Sequence, residues 1–247
     1  MRIDTYLYAA GLAKSRTAAQ AMIADGRVFY LGKEIRKPSF ELPDNADRQA
    51  FDIREGGCPY VSRGGLKLKA ALDAFSLVVR GRSALDVGAS TGGFTDCLLQ
   101  EGAMRVYAVD SGKGQMDSVL ASDPRIVLRE SCNARYLRKE DFGEPITLAV
   151  MDVSFISQTL MFPALSNVLT DGADIVTLIK PQFEVGKSGV GRGGIVRDES
   201  LRREAVERVV REAQRFGFVN CGIIPSPITG GDGNHEFLSY FRKETSL

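Results

Sequence analysis

Four charged residues far apart in the chain stand where folding could turn them to chemistry: Lys67, Asp152, Lys180 and Glu236. Asp152 follows the apolar run Leu148-Ala149-Val150-Met151, and Lys180 follows Ile175-Val176-Thr177-Leu178-Ile179. In an open α/β sheet the carboxyl ends of the strands face the ligand, so both side chains are expected at one crevice. An ammonium ending so apolar a strand has to leave the core for a cleft, because burying an unpaired charge is costly. Lys67, on a leading helix, and Glu236, opening a last strand, could complete a polar pocket. Spacing alone does not bring them together, and each taken singly also reads as a solvated charge or a salt-bridge partner. A lysine serves as a base near neutral pH only when desolvation or a neighbouring cation favours its neutral form. Were Lys180 tuned in this way, Lys67 could be the neighbouring cation, whereas Asp152 would pull the other way by favouring the charged amine.

A glycine turn supplies the second constellation. Ala84-Leu85-Asp86-Val87 runs into Gly88-Ala89-Ser90-Thr91-Gly92-Gly93-Phe94, an apolar strand entering a turn and a helix start. The spacing is not G-x-G-x-x-G, so the dinucleotide fingerprint fails in detail. Asp110 ends the next strand, Val106-Tyr107-Ala108-Val109, where a ribose-binding acid belongs. Asp86, Gly88 and Asp110 together suit an adenosine with a cationic tail, since glycine permits close backbone approach while an acid in the loop opposes a pyrophosphate. Asn133, just beyond the third strand, joins this set. A second cluster, Gly186-Lys187-Ser188-Gly189, fails as a phosphate loop because Pro181 occupies the place of the required first glycine. Residues 182–197 read as a mobile basic loop beside the site.

The elements that must position these residues follow from periodicity. The pattern predicts a helix over 3–10, a turn at Gly11, and a second helix opened by Ser15 and closed at Asp25-Gly26. A hairpin over 28–35 turns at Leu31-Gly32-Lys33, with further short strands over 40–42 and 49–53. Gly56-Gly57-Cys58-Pro59 marks a junction, giving a domain over 1–58, a linker over 59–62 and a second domain over 63–247. Beyond it strands alternate with helices, the mark of a parallel sheet. Strands are expected over 83–87, 105–109, 126–129, 147–151, 175–179, 218–224 and 236–241, with helices between them, a leading helix over 66–75 and a long amphipathic one over 201–216.

Composition narrows the function classes. The chain has 247 residues, 44% hydrophobic and 26% charged, which is a globular rather than a disordered composition. No apolar run reaches the roughly 20 residues that cross a bilayer, and Asp4 stands where a secretory leader needs apolar residues, so a cytoplasmic protein with no membrane partner is expected. The four cysteines form no C-x-x-C pair, so no metal is expected. The net charge is only +1, but residues 1–40 hold seven Lys/Arg against three Asp/Glu and residues 59–82 five against one. Such basic segments can follow a phosphate backbone, and Arg2, Arg16, Arg27, Lys33 and Arg63 are the candidate contacts to one.

Ser62-Arg63-Gly64-Gly65-Leu66-Lys67-Leu68, the turn 86–94, Asp152-Val153-Ser154-Phe155-Ile156-Ser157, Lys180-Pro181-Gln182-Phe183-Glu184 and Gly233-Asn234-His235-Glu236-Phe237 resemble the TlyA family of ribosomal RNA methyltransferases along essentially the whole chain. The first segment, with Arg2, Asp4, Leu7, Ser15, Arg16, Ala19 and Gly26-Arg27-Val28, is similar to an RNA-binding domain first described in a small-subunit ribosomal protein. The resemblance implies an α/β fold, a Rossmann-like seven-stranded methyltransferase sheet with a small N-terminal α+β RNA-binding domain. It also implies S-adenosylmethionine as cofactor and ribose 2′-O-methylation of ribosomal RNA, at cytidine, with free RNA or ribosomal subunits as partner and no obligate protein partner. The Lys-Asp-Lys-Glu set that carries ribose methylation in TlyA and FtsJ relatives matches Lys67, Asp152, Lys180 and Glu236. Asp86 through Phe94, Asp110, Asn133 and Asp152 would hold the cofactor. The hemolysin name some members carry finds no apolar pore-forming segment here. Amino-directed base methylation lacks its Asn/Asp-Pro-Pro signature, since Asp152 is followed by Val153 and Ser154. The competing reading from another class is a non-catalytic RNA-binding or ribosome-assembly factor that retains a cofactor pocket. His235, the only histidine, is expected to neighbour Glu236 rather than to catalyse.

Overall fold

The computed structural model describes residues 1–24, 26–43, 45–53, 58–230 and 233–245, and every element counted below is among these described residues. Asp25 and Gly56-Gly57, named above as a helix stop and a junction, lie outside them. The chain divides into two compact units, Met1–Arg63 and Gly64–Leu247.

In the first unit, α1 (Ile3–Ala9) and α2 (Arg16–Ala24) pack together. Ser15 Oγ accepts the Ala18 N–H at 3.0 Å, satisfying one of the donors left over at the start of α2. β1 (Val28–Tyr30) turns at Leu31 and Gly32, both at positive φ, into β2 (Lys33–Glu34). That two-residue turn carries the twist an antiparallel hairpin needs. β3 (Phe51–Ile53) pairs on the other side of β1, giving the order β2-β1-β3. Ile3, Leu7, Ala19, Ile23, Val28, Ile35 and Leu42 form the core. The strand expected over 40–42 reduces to one bridge, Arg2 with Glu41. Among the described residues, three bonds to its backbone tie the segment to the N-terminus: Ile3 N–H to the Phe40 carbonyl, Leu42 N–H to the Met1 carbonyl, and the Met1 ammonium to the Leu42 carbonyl.

In the second unit α3 (Gly64–Ala74) leads into β4 (Ser83–Val87), α4 (Gly93–Gln100), β5 (Arg105–Val109), α5 (Ser118–Ala121) and β6 (Ile126–Arg129). β7 (Ile146–Met151), α6 (Phe162–Val168), β8 (Leu169–Ile179), α7 (Pro181–Glu184), α8 (Glu199–Arg215), β9 (Phe218–Pro225) and β10 (Phe237–Lys243) complete it. The seven strands order as β6-β5-β4-β7-β8-β10-β9. β4 through β8 are parallel, whereas β10 runs antiparallel to both β8 and β9. β4 is buried along its whole length, as a central parallel strand covered on both faces must be. One face is filled by Phe162, Leu165, Val209, Ala213, Phe218 and Phe241 from α6, α8 and the last two strands. Three expectations need correcting. β8 begins six residues earlier than the apolar run 175–179, because its first half carries Thr170, Asp171, Gly172 and Asp174 at the edge of the core. Between β6 and β7 there are single 3₁₀ turns over Ala134–Tyr136 and Lys139–Asp141 in place of a helix. Glu236 precedes β10 and so belongs to the loop that enters it.

Sequence reading passed over Asp4 as a structural centre. Its carboxylate is fully buried and accepts from Arg2 Nη2 at 3.0 Å, Arg16 Nε at 3.1 Å and Gln20 Nε2 at 2.8 Å. Burial pushes this acid up, but the hydrogen bonds from Gln20, Arg2 and Arg16 and the Arg16 charge outweigh it and hold the carboxyl well below the ordinary range. A depressed acid contributes stability above its unfolded pKa, about 4, and loses that contribution as pH falls through the folded value. Asp4→Ala is therefore expected to destabilise the first unit by about 2 kcal/mol at pH 7. The gap to the unmutated chain should narrow below about pH 4, read from urea titrations followed at Ile3 and Leu7 methyl resonances.

Candidate active site

The order β5-β4-β7 makes the crevice between β4 and β7 the topological switch point, the place where such sheets take ligands. Val87 pairs with Met151, so Gly88 and Asp152 leave the sheet side by side, and Asp152 N–H donates to the Val87 carbonyl at 3.0 Å. Gly88 has φ +86, and a Cβ there would stand 2.6 Å from the Asp152 carbonyl oxygen, so only glycine fits the approach. The turn opens a cavity of about 450 Å³ lined by Gly88, Ser90, Asp110, Gln115, Asn133 and Asp152, with Val109, Ile156 and Met161 among its apolar walls. Asp110 accepts the Ser90 N–H at 2.8 Å and the Gly112 N–H at 2.6 Å, which fixes its carboxylate at the rim. Asn133 Oδ1 accepts the Arg135 N–H at 3.1 Å. Among the described residues, no Lys or Arg lines this cavity. Two carboxylates and no cation in the lining suit a positively charged ligand and disfavour a pyrophosphate, although Asp152 is also paired from behind the wall with Lys180.

Not every residue of the turn reaches the cavity. Asp86, expected at the ligand, is fully buried beneath the loop, where its Oδ2 accepts from Thr95 Oγ1 at 2.6 Å and its Oδ1 has no partner. Burial raises this carboxyl to about 7, against the pull of the Thr95 hydrogen bond, with the Asp152 and Asp110 charges adding to the rise. Its position inside β4 explains the difference: alternate side chains of a doubly covered strand point into packed layers. Ala89, Gly92, Gly93 and Phe94 are likewise buried, and Thr91 is exposed outside the cavity wall.

The four dispersed charges form two ion pairs. Lys67 Nζ meets Glu236 Oε2 at 2.5 Å, with the residues 8% and 4% exposed. Lys180 Nζ meets Asp152 Oδ1 at 2.6 Å and donates to Ser154 Oγ at 2.7 Å. The two pairs share a boundary because Phe237 pairs with Ile179 across β10 and β8, which sets Glu236 and Lys180 beside each other at the same sheet end. Both border a second cavity of about 310 Å³ together with Ser154, Phe155, Gln182, Phe183, Val190 and Gly194. Ser154 and Phe155 line both cavities, so the two adjoin there. Pro181, immediately after Lys180, fits the first position of α7 and ends the strand. The basic loop beside the site is tied in by Asn234, 1% exposed, whose Oδ1 accepts the Val196 N–H at 3.0 Å and whose Nδ2 donates to the Gly194 carbonyl at 2.9 Å. His235 is exposed and lines a separate cavity of about 360 Å³ with Arg202, Ile223 and Phe237, on which Glu236 also borders.

An FtsJ-like methyltransferase model matches residues 60–243, and an S4 domain model matches residues 1–47. The 16S/23S rRNA (cytidine-2′-O)-methyltransferase TlyA of Mycobacterium tuberculosis is 44% identical over 244 residues, 99% of this chain and 90% of that protein. The chain belongs to the TlyA family of FtsJ-like methyltransferases. Hemolysin A of Brachyspira hyodysenteriae is 40% identical over 98% of this chain and 99% of its own length. A solved structure of a candidate hemolysin from Streptococcus thermophilus has TM-score 0.78 at 42% identity, covering 100% of this chain and 89% of that one. Among the described residues of this TlyA-family chain, no helix is long and apolar enough to cross a membrane, and no group of three or more His, Cys, Asp and Glu could hold a metal ion.

Sequence reading assigned no role to Phe155, which is 92% exposed at φ +64 with its ring centroid 5.3 Å from that of Phe183. An aromatic residue directly after the polar Asp152-Val153-Ser154 strand end was the available signal. The basic candidates in the S4-like unit divide. Arg2 and Arg16 are ion-paired to Asp4 yet remain about half exposed, Lys33 is exposed at the hairpin turn, and Arg27 and Arg63 are half-buried. The close approach at Gly88 gives a direct test: Gly88→Ala is expected to lower stability by about 1–3 kcal/mol, measured by urea denaturation of the second unit.

Proposed function

We propose that this chain transfers a methyl group from S-adenosylmethionine to a ribose 2′-hydroxyl of ribosomal RNA, at cytidine. The observation that carries the reading is the adjoining pair of cavities, one lined by Asp110 and Asp152 with no lining cation, the other bounded by Lys180 and Glu236, one member of each ion pair. The cofactor, when bound, supplies an electrophilic methyl group on a sulfonium. Asp110 would hold the ribose hydroxyls of its adenosine, as an acid at the second strand end does in related sheets, while Gly88 lets the backbone approach and Ser90, Gln115 and Asn133 supply polar contacts. Asp152, at the boundary, would favour the positively charged end.

In the second cavity Lys180 Nζ donates to Ser154 Oγ and is ion-paired with Asp152, and an ammonium has three N–H groups. An N–H not spent on Ser154 would orient the 2′ oxygen in line with the methyl donor. Transfer would form the O–CH₃ bond as the sulfonium S–CH₃ bond breaks to leave a neutral thioether, and the hydroxyl proton would leave through the Lys180–Asp152 pair, whose carboxylate can accept it. Lys67 and Glu236 would fix the ribose from the other wall. Orientation of two bound reactants can supply on the order of 7–11 kcal/mol, more than the roughly 10²- to 10⁴-fold of a general base, so positioning contributes most of the acceleration. Phe155 presents a solvent-facing ring on which an unstacked base of a single-stranded RNA segment would stack.

Residues 1–58 would bind RNA by its shape and phosphates through Arg2, Arg16, Arg27 and Lys33, with 59–62 as a linker, Arg63 as a further contact, and 63–247 as the catalytic domain. Free ribosomal RNA or assembled subunits in the cytoplasm are the partners. The test is transfer of labelled methyl groups to isolated small and large ribosomal subunits, followed by nuclease digestion. Label is expected on a 2′-O-methylcytidine, with a loss of about 10²- to 10⁴-fold in Lys180→Ala. Label on a base would overturn the mechanism, and RNA binding without any transfer would favour the assembly-factor reading.

A further inference from the structure

The segment 152–158 carries Asp152 and Ser154, which meet Lys180, and Phe155, which borders both cavities. Phe155 stands at φ +64 and projects its ring to solvent, a conformation that a non-glycine residue keeps only where its surroundings over-determine it. Its own side chain cannot supply that restraint, since it touches one aromatic neighbour and is otherwise exposed.

We propose that Glu184 is a positioning residue for the reaction cavity, latching segment 152–158 to the helical turn that begins at Lys180. Glu184 is 3% exposed. Its Oε2 accepts from Ser157 Oγ at 2.6 Å and its Oε1 accepts the Gln158 N–H at 2.9 Å, so both carboxylate oxygens are spent on the segment just past Phe155. Ser157 Oγ extends the link to Thr159, with Oγ1 at 2.7 Å and the Thr159 N–H at 3.3 Å. On the opposite side, the Glu184 carbonyl accepts from Arg208 Nη1 of α8 at 2.7 Å. Phe183, next to Glu184, supports the Phe155 ring. One four-residue helical turn thus carries Lys180 at its start and, at its end, the hold on the segment that pairs with Lys180.

The choice of residue fits a geometric task. Burial pushes the Glu184 carboxyl above the ordinary glutamate range, with the Ser157 and Gln158 hydrogen bonds pulling the other way. A buried acid is costly, and here its carboxylate is satisfied by a hydroxyl and a backbone amide rather than by a close ion pair. A glutamine of the same length can keep both links, its oxygen accepting from Gln158 and its amide donating to Ser157 Oγ. An alanine keeps neither.

The kinetic consequence rests on the methyl-transfer reading above, while the latch itself does not. The experiment compares full-length wild type, Glu184→Ala, Glu184→Gln and Ser157→Ala in three readouts: methyl transfer to ribosomal subunits, S-adenosylmethionine affinity, and amide hydrogen exchange over 153–158. Glu184→Ala should lower kcat by about 10²-fold, the scale of a misplaced reacting group, with cofactor affinity unchanged and exchange over 153–158 accelerated. Glu184→Gln should restore both kcat and protection. Ser157→Ala, which removes one arm, should fall between and decides the matter if Glu184→Ala does not fold. Unchanged kcat in the alanine variants, parallel loss of cofactor affinity, or failure of glutamine to rescue would overturn the proposal. If wild type transfers no methyl group to RNA, the functional reading fails on its own, and the exchange of 153–158 still decides the latch.

Discussion

The antiparallel pairing of β10 with β8 is the constraint on which the site depends. Parallel strands deliver their carboxyl ends to one crevice, and β8 delivers Lys180 there as β7 delivers Asp152. A seventh parallel strand would bring its last residue to that edge. Reversing β10 instead brings the residue that precedes it, so Glu236 arrives opposite Lys180 through the Phe237–Ile179 register. A slip of one residue would turn Glu236 to the other face and Phe237 out of the core, so the hydrophobic pattern of β10 enforces the position of the charge.

Around that edge, buried polar groups hold loops that apolar packing alone would leave loose. Asn234 ties the loop 194–196 to the entry of β10, Thr95 ties α4 to Asp86 beneath the glycine turn, and Glu184 ties the loop after β7 to α7. Each places a polar atom where an unmade hydrogen bond would be expensive, and that penalty makes the arrangement specific. Lys67 and Glu236 extend the same logic to charge. A buried ion pair adds little net stability, yet loss of either partner leaves an uncompensated ion. Removing Lys67 would thus disturb the cavity wall as well as any contact with substrate.

Most of the sheet was legible because the central strands are short apolar runs, and runs such as 83–87 and 105–109 admit few alternatives. The 40–42 segment misled because local alternation cannot reveal whether a partner strand exists beyond one residue. The ends of β7 and β8 were legible as site positions from the charge that terminates each run. Contacts across long stretches of chain were not: Lys67 and Glu236 lie 169 residues apart, and only the β10 register brings them together. The burial of Asp86 was hidden because the same aspartate could face the ligand or the core, depending on the pleat. Phe155 was hidden for another reason, since a positive φ in a phenylalanine has no signature in composition or period.

The proposed function divides the work between adjoining cavities, with the acidic one to hold the methyl donor and the Lys180 one to hold the ribose. Equilibrium binding of S-adenosylmethionine to wild type, Asp110→Ala and Lys180→Ala, in the absence of RNA, tests it most directly. The account predicts a loss of about tenfold or more for Asp110→Ala, the scale of a charge-assisted hydrogen bond, and unchanged affinity for Lys180→Ala. Equal losses in both variants, or a loss confined to Lys180→Ala, would contradict it.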